Sequence, residues 1–148
     1  MVIPSHGAPI ELTDAGGGLA IVTYLSGATD EQYEAHLDNL TQLMHDMAAR
    51  HHFLAQVHDA TRWSRSTARQ RQMQAEWIEK NRRFMEQHGA GLAFVITSAL
   101  VRGGLTAVLW LSGMPLPYKV FGEMDRAQAW CQSQVAKRRG DAMAGVQR

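Results

Sequence analysis

Leu92-Ala93-Phe94-Val95-Ile96-Thr97 decides the fold. The run has none of the polar alternation that gives a strand one wet face, so both of its faces must be covered. A strand of that kind sits in the middle of a sheet with helices on both sides, and its edges are marked by Gly91 before it and by Ser98, a residue able to cap a helix, after it.

Upstream of this strand, a long helix capped by Ser64 or Ser66 is expected. On it Met73, Trp77, Phe84 and the stem of Lys80 share a face, while Arg65, Arg69, Arg71, Arg82 and Arg83 decorate the others, and Gly89 and Gly91 end it. Before that helix, Phe53 to His58 has the length and composition of a strand. Earlier still, Tyr33, Leu37, Leu40, Met44 and Met47 recur at helical spacing through Ala49 behind a cap at Thr29 or Asp30, with Asp30-Glu31 where a helix N-terminus favours negative charge. Leu19 to Leu25 reads as a strand. Gly16-Gly17-Gly18 supplies a permissive turn between it and a short first strand at Pro9 to Leu12.

Downstream, Ser98 opens a third helix running to about Leu111, with Leu105, Val108, Leu109 and Leu111 inward. Gly103-Gly104 weaken such a helix, and close packing against another element is one reason for their presence. Pro115 and Pro117 stiffen a connector to a short edge strand at Tyr118 to Phe121, and a last helix runs from Met124 to about Arg139 with Ala127, Trp130, Gln134 and Val135 inward. The result is an α/β fold: one open mixed sheet of four to five strands packed by four helices. Residues 1–148 form a single domain, frayed at 1–8 and 140–148.

Composition agrees with a self-sufficient core, with 45% hydrophobic and 20% charged residues in a chain of 148. One cysteine cannot build a disulfide framework, and Met1 to His6 carries no secretory signal pattern, so a soluble cytoplasmic protein is expected. Leu92 to Leu111 is long enough to suggest a membrane span, but Arg102 and the glycine pair fall at its middle, so it reads as strand then helix. Net charge is +1, unevenly spread: eight acids accompany Arg50 alone through Asp59, and fourteen Lys/Arg accompany six acids from Arg62 onward. Two halves that face each other account for this more simply than a basic partner-binding face does.

The element order and several stretches together resemble a known family. Those stretches are Arg71-Gln72-Met73-Gln74-Ala75-Glu76-Trp77, Ala99 to Leu111 with its proline-containing linker, Val120-Phe121 and Ala127-Gln128-Ala129-Trp130. The chain after Gly18 is similar to small bacterial proteins of the STAS-like, anti-sigma-factor-antagonist-like group, akin to the CRAL-TRIO lipid-binding fold. In partner-switching members a serine or threonine at a strand-to-helix turn, shortly after an aspartate, is phosphorylated to block docking. Asp59-Ala60-Thr61 occupies a similar place, which the resemblance makes a phosphosite at Thr61, although the Asp-Ser-Ser-Gly-type turn is absent.

Asp59, Thr61, Ser98 and Arg102 should gather at the carboxyl ends of adjacent central strands, where open α/β sheets bind ligands, or else serve as caps and as an Asp59–Arg102 pair. Ser98 lacks the flanking glycines of a nucleophile elbow, so no hydrolase is expected. His58 has the chemistry of a base, or equally points inward to a hydrogen bond. His45, His51, His52 and His58 have neither a cysteine nor a helical His-x-x-x-His pair beside them, so no metal and no cofactor are expected. Nucleic-acid binding is disfavoured because Met73, Trp77 and Phe84 read as core anchors, and Cys131 reads as inert. The leading expectation is a non-catalytic docking module for a protein partner or for itself around Thr61 and Arg102. A homodimer follows if apolar residues of the third helix and Ser112-Gly113-Met114 are exposed. The second is a carrier of a small apolar or anionic-headed ligand, with Leu105, Trp110 and Tyr118 as wall and Arg102 at the head group; an enzyme is third. A contiguous buried cavity behind the third helix favours the carrier, and a flat exposed apolar patch favours docking.

Overall fold

The computed structural model describes residues 8–63 and 66–146, without the side chains of residues 110, 111 and 146. The chain order is β1 (Ile10–Asp14), β2 (Leu19–Tyr24), α1 (Asp30–His51), β3 (Leu54–Asp59), α2 (Ala68–Lys80), α3 (Arg82–His88), β4 (Gly89–Val95), α4 (Ala99–Ser112), β5 (Tyr118–Phe121) and α5 (Met124–Val146). All five strands join one sheet in sequence order, with β1 antiparallel to β2 and every later neighbour parallel. Parallel neighbours need crossovers, and the helices between them supply these.

Gly16, Gly17 and Gly18 all hold positive φ in the β1–β2 turn. Gly18 must stay bare because a Cβ there would lie 2.5 Å from the Phe53 carbonyl. Thr29 caps α1 and Thr67 caps α2, each through a reciprocal box with a glutamine three residues on. The α2 cap is therefore Thr67 rather than Ser66, and Ser64 lies outside the described residues. Asn81 interrupts the expected second helix: its side-chain amide donates to the Trp77 carbonyl at 2.8 Å, α3 restarts beyond it, and the described residues form five helices where four were expected. β4 begins at Gly89 rather than after Gly91. α5 continues about two turns into the tail expected to fray from Gly140, although its last residues are exposed.

The sheet separates two unequal layers. α5 alone covers one face, where Ala127, Cys131 and Val135 pack on Leu19, Ala55, Val57, Ala93 and Val95. Helices α1 to α4 cover the other, with Leu37, Leu40, Met44 and Met47 of α1, Ile78 of α2, Met85 of α3 and Val101 and Val108 of α4 against Val22, Leu54, Leu92 and Phe94. Phe94, Val95 and Ile96 are all buried, the first two in β4, as the two-faced apolar run requires. No described helix is long and apolar enough to cross a membrane.

Candidate functional site

The four-helix face is not filled. Between the sheet, α2 and α4 lies a cavity of about 430 Å³. Its floor is Tyr24 of β2, Gln56 and His58 of β3, and Leu92, Phe94 and Ile96 on and after β4. Trp77 and Ile78 of α2 and Leu105, Val108 and Leu109 of α4 form its walls, and Met85 and Met114 lie at its far side. Ser66, Arg71, Leu100, Gly103 and Gly104 also line it. Leu100 is 60% exposed, so this end is the mouth.

The polar atoms of the floor are joined in a row whose proton positions follow from donor and acceptor chemistry. Gln56 Nε2 lies 3.3 Å from Met44 Sδ, and a thioether only accepts, so the amide oxygen faces His58. His58 Nε2, 2.7 Å from that oxygen, must donate to it. His58 Nδ1 then accepts from the Tyr24 hydroxyl at 2.9 Å. Burial drives the His58 pKa down to about 4 and the Tyr24 pKa well up, so both are neutral at pH 7. Tyr33 donates to Gln74 Oε1 at 2.7 Å, and Trp77 Nε1 to Thr41 Oγ1 at 2.8 Å.

His36 of α1 lies edge-on to Tyr24 and Tyr33, with ring centroids 6.0 and 5.7 Å away, and neither of its ring nitrogens finds a hydrogen-bond partner among the described residues. Burial, reinforced by the nearby His58, lowers its pKa to about 3.

No family model matches the chain, and no curated protein is significantly similar to it. Among solved structures, an uncharacterised DUF3478-family protein from Shewanella loihica PV-4, described as having a SpoIIAA-like fold, superposes on 88% of this chain and 98% of its own at a TM-score of 0.55 and 17% identity. The fold is STAS-like.

In this STAS-like domain the residues singled out from sequence divide sharply. Asp59 Oδ1 accepts from the Thr61 amide at 3.1 Å and the Thr61 hydroxyl at 2.8 Å, and the expected Asp59–Arg102 ion pair is not among those of the described residues. The carboxylate closes its own turn instead. Thr61 and Arg102 are exposed, and Arg102 is not among the residues that line the cavity. Ser98 Oγ caps α4, accepting from the Val101 amide at 3.4 Å. Tyr118, 48% exposed on the edge strand, is not part of the cavity wall, whereas Leu105 is. The Trp110 side chain lies outside the described residues.

Several other expectations change. Ser112 is buried and Met114 is half-buried against the core while Gly113 is exposed, so the connector offers little of the apolar surface from which a homodimer was expected, and Leu100 of α4 offers the rest. Close packing does not explain Gly103, whose Cβ position is open space, nor Gly104, where a Cβ would make only ordinary contacts. Lys80 is exposed, and the inward positions of α2 include Gln70, Arg71, Gln74 and Ile78. Arg82 does not merely decorate: it donates to the carbonyls of Ser112 and Gly113, sealing the C-terminal end of α4. His45 rests on Phe84 with ring centroids 4.3 Å apart, Phe84 on His88 at 4.8 Å, and His88 Nδ1 donates to the His52 carbonyl at 2.7 Å, an aromatic row with local hydrogen bonding. Cys131 is fully buried, and burial lifts its pKa to about 12.

Proposed function

We propose that this STAS-like domain binds, rather than transforms, a small and largely apolar molecule in the cavity under α4. The observation that carries this reading is the cavity itself: about 430 Å³ behind a helix that a tightly packed core would close down on. The groups around it support retention over reaction. His58 and Tyr24 are held neutral and hydrogen-bonded, and no carboxylate is among the lining residues. Native mass spectrometry of freshly purified protein tests the proposal, with a copurifying molecule expected and its loss expected in Val108→Trp, which fills the space. Retention of the same molecule by a folded Val108→Trp protein would place it elsewhere.

A second reading, docking of a protein partner at the Thr61–Arg102 end, is favoured by one observation. Leu100, in the first turn of α4, is 60% exposed, and Thr61 and Arg102 are exposed as well. Phosphate on Thr61 would displace the hydroxyl from Asp59 and add charge beside that carboxylate. Pull-downs with wild type, Thr61→Ala and Thr61→Glu distinguish the readings, since docking requires partners that change between the variants.

A further inference from the structure

We propose that the molecule held under α4 is an amphiphile with an anionic head, a carboxylate, gripped at the mouth by Arg71 while its chain runs inward. This rests on the cavity reading and specifies the charge and orientation of the occupant.

Arg71 is the lining residue that carries a permanent charge. Its Nη1 donates to the Ser66 carbonyl at 2.7 Å, which pins the guanidinium at the mouth, and among the described residues its other donors find no acceptor. Among the described residues no carboxylate pairs with it. Gly104 faces this pair without a side chain: a Cβ there would lie 3.6 Å from Ser66 Oγ and 3.8 Å from Arg71 Cδ. The first turn of α4, Ala99 to Val101, also lines the cavity and contains no acid, so the positive end of that helix adds to the same field.

The interior excludes the alternative orientation. The Tyr24–His58–Gln56 row satisfies itself, and a carboxylate placed against it would lose its hydration without a cation to answer it. A guanidinium, by contrast, matches a carboxylate with two parallel N–H donors. At the roughly 30 Å³ that a small molecule such as water occupies in the liquid, the cavity holds on the order of a dozen heavy atoms, which is a medium-length chain.

The test compares decanoate with decan-1-ol, of equal chain length, by calorimetric titration of the full chain as wild type, Arg71→Gln and Arg71→Lys. Wild type should bind both, decanoate the more tightly. Arg71→Gln should weaken decanoate about 10- to 100-fold, the range for losing a charged hydrogen-bonding partner, while decan-1-ol changes by less than about twofold. Arg71→Lys should restore part of the loss. Decanoate affinity unaffected by Arg71→Gln, or an equal loss for both ligands, would overturn the head-group assignment while leaving the cavity reading intact. Wild type that binds neither would overturn both. Binding to anionic vesicles that needs Arg71, in place of decanoate binding, would also sink the proposal, because the head would then belong to a membrane.

Discussion

The Tyr24 hydroxyl and His58 Nδ1 lie 2.9 Å apart across the β2–β3 pair, and because Gln56 Oε1 holds the imidazole proton on Nε2, it is the hydroxyl that donates. Tyr24→Phe would leave a buried nitrogen with no donor. The expected cost is about 1 to 3 kcal/mol in denaturant unfolding, and Tyr24→Phe combined with His58→Leu should cost less than the sum of the two single changes. Additive losses would show that the pair is not coupled.

Acid should weaken the fold through two histidines. The pKa values of His58 and His36 are about 4 and about 3 in the folded state, below the ordinary 6.5, so on unfolding each binds a proton that the native state refuses. Stability is therefore complete above pH 6.5 and falls as pH drops toward 4, by up to about 1.4 kcal/mol per pH unit for each histidine. Urea midpoints measured at intervals between pH 7.5 and 4.5 check the slope. Among the described residues neither nitrogen of His36 has a hydrogen-bond partner, so His36→Leu should hold or raise stability at pH 7 and flatten the acid limb.

Gly103→Ala should raise the melting temperature. The position is helical, its Cβ site is open, and alanine is better than glycine in a helix by about 1 kcal/mol. An unchanged or lower value would mean that α4 needs the freedom of a glycine there.

Val95→Asp should prevent folding. Val95 is 2% exposed in the most enclosed parallel stretch of the sheet, between β3 and β5, so the carboxylate would be left with neither water nor a cation. A soluble variant that melts cooperatively would contradict that placement.

The sheet was readable in sequence because Leu92 to Ile96 needs cover on both faces, and the α5 stripe was readable because Ala127, Trp130, Gln134 and Val135 repeat at helical spacing. The cavity was not. Periodicity reports which way a side chain points but not whether its neighbours fill the space in front of it, so Tyr24, Tyr33 and Trp77 look like any buried aromatic residues. Arg71 did leave a signal: Arg71, Gln74 and Ile78 recur at helical spacing, which puts two polar residues on the inward stripe of α2. Arg102 drew attention by its position after the central strand, but the turn of α4 carries it outward.

The lone α5 layer has a consequence for how such a domain can diverge. Behind the sheet, Ala127 and Cys131 are fully enclosed, so most changes there cost stability. In front, Leu105, Val108 and Leu109 border empty volume, and exchanging one aliphatic for another reshapes that space without creating or crushing a core. A lineage carrying this architecture can therefore drift from one occupant to another through the front helices while the back half stays nearly constant, and a comparison of substitution rates on the two sides of the sheet would show that contrast.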